Sequence, residues 1–394
     1  MTQGGISLLH FLVPAIVAVL LWVCYATVLR DYEPEESFMY NVFALVLQPI
    51  MFPSILNVID KPMEAQVARH AKITADMEAS VSEAGAKMFG PDYWQANYGP
   101  EATRVTSIIT IPSSGDDDDH AIPVICTCPH NATATTTMSS NGLPMVFYYH
   151  GGGLIMGSIQ AEMILTRWLA RQANAVVCSI GYRKPPLYPY PTPMQDAFDA
   201  SVGILRDINQ VQQALGGIDI DTTRLATWGT SAGGYMSAQL ARRLVVDADV
   251  SSLKVQVSII PMVKPHGGTP SILNNWHKAR GWKATENAYA WTTFLAQDPD
   301  GTTLASDWRV SLLVDPPTEK QEMLPPAYVQ INTVDILRDE GEMYANRLQA
   351  MGKLIGMDEY DTTHIGTLPG FSNGGRGEGA FEKAVQVLKA HIHN

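Results

Sequence analysis

The sequence predicts an α/β protein in which helices cover both faces of a mostly parallel sheet of eight strands. From about residue 100 onward, short runs rich in β-branched and aromatic residues alternate with longer segments whose apolar residues recur at helical spacing. Strands that are joined by helices return in the same direction, so this alternation indicates βαβ crossovers and a parallel sheet. The chain has 394 residues, 46% of them hydrophobic, which is enough for one large α/β domain with additional segments.

The predicted strands divide into an edge hairpin and a parallel set. Thr103 to Ile111 and Ile122 to Cys128 are separated by a polar turn containing Asp116 to Asp119, which favours an antiparallel hairpin. Six further strands are predicted at residues 143–149, 175–182, 224–228, 254–261, 327–333 and 357–363. Helical patterns occur at residues 162–173, 194–215, 235–246, 340–351 and 379–391.

The N-terminal segment lies outside this regular pattern, which occupies a predicted α/β domain at residues 100–394. Residues 1–30 are predicted to form a membrane-anchor helix, because Ile6 to Leu29 carry no formally charged side chain and would extend about 36 Å as a helix. A cleaved signal peptide is the alternative, although no basic residue precedes the apolar stretch. Residues 31–99, whose apolar part contains helix-breaking prolines, are interpreted as interfacial or cap helices.

We expect a single-pass anchor in an endomembrane such as the endoplasmic reticulum, but two signals conflict over the side that the body faces. Arg30 follows the apolar span and no lysine or arginine precedes it, which favours a cytoplasmic body. Asn131-Ala132-Thr133 is a glycosylation sequon, which favours the lumenal side. The sequence leaves the side open.

Composition argues against several classes of site. The formal net charge of −12 disfavours a nucleic-acid partner, because contacts to phosphates need clustered lysine and arginine. No histidine and cysteine residues have the spacing of metal ligands, so we expect no metal site. The four cysteines are too few for a disulfide framework in a chain of this length. Cys126, Cys128 and Cys178 are therefore interpreted as buried free thiols.

A serine flanked by glycines follows one of the predicted strands. Gly229-Thr230-Ser231-Ala232-Gly233 lies between the strand at residues 224–228 and a helical pattern. The glycines remove side chains that would collide in a sharp strand-to-helix turn, so Ser231 can be exposed in a strained conformation. An ordinary turn is the alternative, but the strand before the serine and the helix after it are the context that a nucleophile of this type requires.

A run of three glycines follows another predicted strand. His150-Gly151-Gly152-Gly153 comes directly after residues 143–149. The N–H groups of Gly152 and Gly153, together with that of Ala232, are predicted to form an oxyanion hole, because bare backbone can turn its donors toward a developing negative charge. His150 and Gly151 are predicted to support this loop, with His150 acting through hydrogen bonds rather than proton transfer. A flexible loop is the alternative.

A serine nucleophile needs a base, and the base needs a carboxylate that orients it. With this type of nucleophile motif, the order along the chain is serine, acid and then histidine. Asp335 follows the strand at residues 327–333, where a functional carboxylate can point across the edge of the sheet. Asp339 and Glu340 compete with it, but they are interpreted as first-turn acids of the next helix.

The same order selects the base. His364 follows the last predicted strand and comes after Asp335, whereas His391 and His393 end the C-terminal helix, where a cation is favoured by the helix dipole. We therefore predict that Ser231, Asp335 and His364 are the catalytic residues, and that no metal or organic cofactor is needed.

Four separated motifs carry a family resemblance. They are His150 to Gly153 with Gly157-Ser158, Tyr182-Arg183 leading to Asp196, Gly229 to Gly234, and Asp335 to Gly341. In this order they resemble the hormone-sensitive-lipase-like family of the α/β-hydrolase fold, which includes the arylacetamide deacetylases. The resemblance covers the edge hairpin and the chain from about Leu143 to the C-terminus. It implies a serine carboxylesterase or lipase-like hydrolase that acts on small hydrophobic esters.

The chain departs from the family at two positions beside these motifs. The family usually has aspartate before the nucleophile, where Thr230 stands, and aspartate before the Tyr-Arg pair, where Gly181 stands. We therefore expect that a polar support near the nucleophile is missing, which would affect the rate more than the mechanism.

Residues 262–326 are too long for an ordinary connection and are predicted to be a cap insertion. Its aromatic residues either build an acyl or aryl pocket or pack the small core of the cap; they are Trp276, Trp282, Tyr289, Trp291, Phe294 and Trp308.

Two other functions are kept as alternatives. One is an acyltransferase of the same fold, in which an alcohol rather than water resolves the acyl-enzyme. The other is a non-catalytic receptor resembling the gibberellin receptors, which have lost the catalytic histidine; the presence of His364 argues against it.

Overall fold

The computed structural model of the protein describes residues 103–106, 108–115, 120–130, 132, 142–265, 267–276, 278–298, 303–369, 372 and 375–394. The predicted anchor, the predicted helices within residues 31–99, the acidic turn at residues 116–119 and Asn131 lie outside the described residues. Among the helices of the described ranges, none has the length and apolar character needed to span a bilayer.

One sheet forms the centre of the described domain. Its strands are β1 (Thr103–Val105), β2 (Ile109–Pro112), β3 (Ala121–Pro129), β4 (Leu143–Tyr149), β5 (Val176–Ile180), β6 (Ile220–Thr230), β7 (Leu253–Ile259), β8 (Ala327–Asn332) and β9 (Leu354–Tyr360). The order across the sheet is β1-β3-β5-β4-β6-β7-β8-β9, and β2 also pairs with β3. All pairs from β5 to β9 are parallel, which confirms the predicted mostly parallel sheet.

The edge of the sheet is antiparallel, as predicted. The first predicted strand is interrupted and forms β1 and β2, and both pair with β3 in antiparallel register. β3 then joins the rest of the sheet through antiparallel pairing with β5. The predicted edge hairpin is therefore confirmed.

Helices cover the sheet. Their bounds are α1 (Met163–Ala173), α2 (Thr192–Arg206), α3 (Ile208–Ala214), α4 (Ala232–Ala248), α5 (Pro270–Asn275), α6 (Ala284–Phe294), α7 (Thr318–Gln321), α8 (Arg338–Ala350) and α9 (Ala380–Ile392). The single helix predicted at residues 194–215 is two helices, because Asp207 has a φ of −128° and a ψ of 60°, outside the helical region. α4 is buried over most of its length, and its buried residues include the polar Ser237, Gln239, Arg242 and Arg243.

The two faces of the sheet contribute to separate apolar clusters. In β4, Met145, Phe147 and Tyr149 pack into one cluster. The alternate residues Val146 and Tyr148 pack into the other. Successive side chains of a strand point to opposite faces, so a strand that is covered on both sides is a continuous apolar run rather than an alternating one.

Parallel strands bring distant segments together at one edge. The loops after β4, β6, β8 and β9 begin at His150, Ser231, Thr333 and Asp361. Because these four strands run in the same direction, their carboxyl ends meet at the same edge of the sheet. Each predicted catalytic residue lies in one of these loops.

The interpretation of the cysteines as free thiols is wrong for two of them. Cys126 and Cys178 are directly opposite each other in the antiparallel register of β3 and β5 and form a disulfide bond. Their separation of 52 residues hides this pairing from the sequence, since it depends on which strands become neighbours. Cys128 is a buried free cysteine.

A buried ion pair joins the second motif to the fold. Arg183 donates from Nε to Oδ2 of Asp196 and from Nη2 to Oδ1, both at 2.9 Å. The Arg183 backbone N–H also donates to Asp196 Oδ2 at 2.9 Å, and Ser113 Oγ donates to Oδ1 at 2.9 Å. Because Ser113 follows β2 and Asp196 lies in α2, this carboxylate links the loop after β5 to a helix and to the edge of the sheet.

We expect the Asp196→Ala substitution to lower the free energy of unfolding by about 3–5 kcal/mol, because a guanidinium would lose its carboxylate partner in a buried setting. Urea unfolding followed by tryptophan fluorescence measures this difference. The matched control is Asp207→Ala in an exposed position, which we expect to change stability by about 0.5 kcal/mol or less. Equal unfolding midpoints for the two variants would contradict a structural role for the ion pair.

Candidate active site

Ser231 lies in a sharp turn between β6 and α4. Its φ of 60° and ψ of −121° are rare for a residue with a side chain, and such strain persists only where the surroundings fix it. The Ser231 N–H donates to Ile259 O at 2.8 Å, which ties the turn to the neighbouring strand. A Cβ atom at Gly233 would lie 2.0 Å from Tyr149 O, and one at Gly229 would lie 2.0 Å from Gly233 O. The flanking glycines are therefore required by close backbone contacts.

A chain of hydrogen bonds connects the three predicted catalytic side chains. Ser231 Oγ lies 2.8 Å from His364 Nε2, and His364 Nδ1 lies 2.6 Å from Asp335 Oδ2. With the proton of the neutral imidazole on Nδ1, Nε2 is free to accept the serine proton. All three side chains are buried, with relative exposures of 7% for Ser231, 4% for His364 and 1% for Asp335.

Hydrogen bonds fix the acid as well as its partner. Asp335 Oδ1 accepts the Leu337 N–H at 3.0 Å, which leaves Oδ2 for the imidazole. The side-chain amide of Asn275 donates to Asp335 O at 2.9 Å and to Thr333 O at 3.0 Å, so that the loop after β8 is held from the α5 side. The carboxylate thus faces His364 in a constrained loop.

Glu340 lies near Asp335 but has another role. Its Oε2 accepts the N–H groups of Val263 and Lys264 at 2.9 Å, so it anchors the loop after β7. Burial raises the pKa of Glu340 to about 7, the two backbone hydrogen bonds oppose this, and the charge of Asp335 adds to the increase. No hydrogen bond joins Glu340 to His364 among the described residues, and Asp339 instead accepts the Ser271 N–H at 2.7 Å.

The loop after β4 presents two backbone donors. Gly152 and Gly153 have φ angles of 109° and 61°, in the left-handed region that favours glycine. The Gly151 carbonyl is paired with His150 Nδ1 at 2.8 Å, and the Gly152 carbonyl accepts the N–H groups of Ile155 and Met156 at 3.2 and 3.0 Å. In a trans peptide the N–H points opposite to the carbonyl, so these bonds turn the Gly152 and Gly153 N–H groups to the other side of the loop.

Neither of these two N–H groups donates a hydrogen bond to another described residue. Ala232 is the first residue of α4, and a first-turn N–H has no acceptor within its own helix. The predicted oxyanion donors are therefore available to an external oxygen, and Ala232 directly follows the nucleophile in the chain.

His150 is a structural residue of the loop. Its ring stacks on Tyr182 with a centroid distance of 4.2 Å, and Tyr182 Oη donates to His150 O at 2.8 Å. Burial lowers the pKa of His150 well below its ordinary value, and the positive charge of Lys184 acts in the same direction. The imidazole is therefore neutral at physiological pH and acts through its hydrogen bonds.

One aromatic residue of the segment between β7 and β8 reaches the site. Trp282 lies between α5 and α6, and its ring centroid is 6.4 Å from that of His364. A Cβ atom at Gly153 would lie 2.1 Å from the Trp282 ring. The indole therefore packs directly on the loop of residues 150–153, the glycine loop. Trp282 Nε1 donates to Asn287 Oδ1 at 3.2 Å, which fixes the ring plane.

The other aromatics of this segment have different surroundings. Trp291 and Phe294 pack against Tyr235 of α4, with centroid distances of 5.3 and 6.3 Å. The Trp308 ring lies under the guanidinium groups of Arg242 and Arg309. Trp276 is 65% exposed. For Trp291, Phe294 and Trp308, packing within the fold fits better than a pocket.

Sequence reasoning missed several residues around the site. Asn275, Glu162 and the hydroxyl of Tyr182 bond to the loops that carry the predicted catalytic and oxyanion groups. An acid just before a helix is typical of any helix start, an isolated asparagine carries no signal in a single sequence, and the Tyr182-Arg183 motif did not indicate what the tyrosine hydroxyl contacts. Only their position in space distinguishes them.

A family model of the α/β-hydrolase fold matches residues 146–368, more than half of the chain. The chain belongs to the α/β-hydrolase fold family. This confirms the resemblance to the hormone-sensitive-lipase-like branch that the motifs indicated. In this α/β-hydrolase, the matched region runs from β4 to just beyond His364 and so contains every predicted site residue.

Curated relatives and a solved structure agree with the family. The chain is 31% identical over 229 residues to the carboxylesterase NlhH of Mycobacterium tuberculosis, a match that covers 56% of this chain and 66% of NlhH, slightly less than two thirds of its length. It is 31% identical over 238 residues to an arylesterase of Saccharolobus solfataricus, covering 60% of this chain and 69% of that protein. A thermostable esterase from Pseudomonas putida has the same fold, with a TM-score of 0.68, 23% identity, and coverage of 92% of this chain and 99% of that one.

Proposed function

We propose that this α/β-hydrolase is a serine carboxylesterase that cleaves hydrophobic carboxylic esters through an acyl-enzyme on Ser231. The observation that carries the proposal is the hydrogen-bonded series Ser231, His364 and Asp335, with distances of 2.8 and 2.6 Å, on a strained turn beside unpaired backbone donors. The names of the relatives, a carboxylesterase and an arylesterase, support the same chemistry.

In the acylation step, His364 Nε2 accepts the proton of Ser231 as Oγ attacks the carbonyl carbon of the ester. The electron pair of the carbonyl π bond moves to the oxygen, and the N–H groups of Gly152, Gly153 and Ala232 stabilise the resulting negative charge. Asp335 stabilises the imidazolium that forms, since Oδ2 accepts the Nδ1 proton at 2.6 Å. His364 then gives its Nε2 proton to the leaving alcohol as the carbon–oxygen bond breaks.

Deacylation repeats these roles with water. His364 Nε2 accepts a proton from the water that attacks the acyl-enzyme, and the same three N–H groups hold the second oxyanion. Collapse of this intermediate releases the carboxylic acid and returns the proton to Ser231 Oγ. Protein groups supply each proton transfer, so the cycle is complete without a cofactor.

The neighbourhood of the site favours a hydrophobic acyl or aryl group. The Trp282 indole packs on the glycine loop beside His364 and provides an apolar surface close to the position of the reacting carbon. An anchor at residues 6–29 would hold the enzyme at a membrane, where apolar esters accumulate.

We expect Ser231→Ala to abolish hydrolysis of p-nitrophenyl butyrate, and a fluorophosphonate probe to label the parent protein but not this variant. Asp335→Asn should lower kcat by about 10³–10⁴, because the amide cannot orient and stabilise the imidazolium in the same way. Absorbance of the released p-nitrophenol at steady state gives kcat for each variant.

The control for the acid is Asp339→Asn, which alters the neighbouring carboxylate that bonds to Ser271 and not to His364. It should keep kcat near that of the parent. A similar loss in both aspartate variants would contradict the assignment of Asp335.

Analysis of the products formed in the presence of a competing alcohol distinguishes hydrolysis, which gives the carboxylic acid, from acyl transfer, which gives a new ester.

We expect Trp282→Ala to favour larger acyl groups, because removal of the indole enlarges the space beside Gly153 and His364. The ratio of kcat/KM for p-nitrophenyl octanoate to that for the acetate should increase by about tenfold or more. Trp308→Ala, whose ring contacts Arg242 and Arg309, is the matched control and should leave the ratio unchanged. An unaltered ratio in Trp282→Ala would mean that the indole does not limit the substrate.

We also infer that the catalytic domain resides in an oxidising compartment. The Cys126–Cys178 disulfide supports this, since such bonds persist mainly in secreted and lumenal proteins and are rare in the cytosol. Together with the sequon at Asn131, it favours the lumenal side of an endomembrane such as the endoplasmic reticulum.

The disulfide can be tested on protein that is isolated from its native cells and unfolded in a denaturant that contains a maleimide label but no reductant. Cys128 should be labelled, whereas Cys126 and Cys178 should be labelled only after reduction, as read by peptide mass spectrometry. Labelling of all three cysteines before reduction would place the domain on the reducing side of the membrane.

A further inference from the structure

The peptide group between His150 and Gly151 is bonded at both of its polar atoms. Tyr182 Oη donates to the His150 carbonyl at 2.8 Å, and the Gly151 N–H donates to Glu162 Oε1 at 2.9 Å. This peptide precedes the two glycines that carry the proposed oxyanion donors. The orientation of this peptide therefore determines the direction in which the chain enters the rest of the glycine loop.

The carboxylate of Glu162 is itself held in place. Its second oxygen, Oε2, accepts a hydrogen bond from Tyr148 Oη at 2.6 Å. Tyr148 is a buried residue of β4, whereas Glu162 directly precedes α1, so the carboxylate bridges a strand of the sheet and the start of a helix. Burial, followed by the charge of Glu162, raises the pKa of Tyr148 well above its ordinary value, so the hydroxyl remains a donor.

The glycine loop lies against both this carboxylate and the nucleophile turn. A Cβ atom at Gly151 would lie 3.0 Å from Thr230 O, 3.3 Å from Glu162 Oε1 and 3.8 Å from Ser231 Cβ. The Gly151 backbone therefore lies close to both the nucleophile turn and Glu162, with no room for a side chain. A shift of Glu162 would allow Gly151 to move relative to Ser231.

The residue before the nucleophile provides no such support. Thr230 Oγ1 is buried and has no hydrogen-bond partner among the described residues. The glycine loop, in contrast, has a carboxylate support in Glu162, which directly precedes α1. The expectation of a missing polar support concerned the nucleophile turn, and the lack of a described partner for the Thr230 hydroxyl agrees with it.

We propose that Glu162 is a positioning residue that holds the Gly151 N–H and thereby aims the N–H groups of Gly152 and Gly153 at the oxyanion. This inference rests on the proposed function. The hydrogen bonds of the Gly151 and Gly152 carbonyls fix the tilt of the next two peptides, and Glu162 fixes the peptide from which they extend. Misplaced donors weaken binding of the transition state more than binding of the ester, because the full negative charge exists only in the former.

The first test is Glu162→Ala in the full chain. We expect kcat for p-nitrophenyl butyrate to fall by about 10–100-fold, less than or similar to the effect of losing one oxyanion donor, while KM changes little. Binding of a trifluoromethyl ketone, whose adduct with Ser231 places a negative oxygen in the hole, should weaken by a similar factor.

The conservative variant Glu162→Gln separates positioning from charge. Its amide oxygen can accept the Gly151 N–H while its NH₂ group donates to Tyr148 Oη, so the geometry of both contacts is kept. We expect kcat to recover most of the loss seen in Glu162→Ala. The surface variant Glu342→Ala, which removes a carboxylate from an ion pair with Arg338 on α8, controls for a general effect and should match the parent.

The outcomes distinguish this proposal from the proposed function. Loss of hydrolysis in Ser231→Ala together with unchanged kcat in Glu162→Ala would overturn the role of Glu162 alone. An increase in KM at constant kcat, or a Glu162→Gln variant as impaired as Glu162→Ala at equal thermal stability, would also overturn it. Hydrolysis that persists in Ser231→Ala would instead overturn the serine mechanism itself.

Discussion

The site depends on a close approach between two pieces of backbone. The turn that carries Ser231 and the end of β4 are so near that a Cβ atom at Gly233 would collide with the Tyr149 carbonyl. This contact allows the glycine loop and the nucleophile to lie side by side, although their motifs are far apart in the chain. The positive φ of Ser231 and the hydrogen bond from its N–H to Ile259 O follow from the same packing. A bulkier residue at position 233 would separate the nucleophile from the donors beside it.

Parallel strand order explains why the other groups converge there. The loops after β6, β8 and β9 leave the same edge of the sheet, so Ser231, Asp335 and His364 can meet despite a separation of 133 residues between the serine and the histidine. The sheet is covered on both faces, and hydrogen bonds with Asn275, Glu340 and Glu162 hold the loops after β8, β7 and β4, respectively. The positions of the site residues thus depend on the packed sheet and on a few hydrogen bonds to the backbone of the loops.

Two carboxylates beside the site, the buried Glu340 and the half-buried Glu162, have similar electrostatic properties. Burial raises the pKa values of Glu162 and Glu340 to about 7. The increase is limited at Glu162 by hydrogen bonds from the Tyr148 hydroxyl and the Gly151 N–H, and at Glu340 by those from two backbone N–H groups. Each carboxylate receives two donors at one or both oxygens, which compensates part of the cost of removing a charge from water. In both places the fold uses an acid to hold backbone N–H groups rather than to transfer protons.

The sequence by itself determined the α/β class, the mostly parallel sheet, the edge hairpin and the membership of the family, because these follow from local periodicity and from motifs of a few adjacent residues. Position directly after a predicted strand, rather than within a predicted helix, favoured His364 over His391 and Asp335 over Asp339. The tertiary structure alone decided the Cys126–Cys178 bond, the approach of Trp282 to the glycine loop and the contact of Glu162 with Gly151. Each of these depends on which strands and loops become neighbours, and a pairing between distant residues leaves no periodic trace in a single sequence.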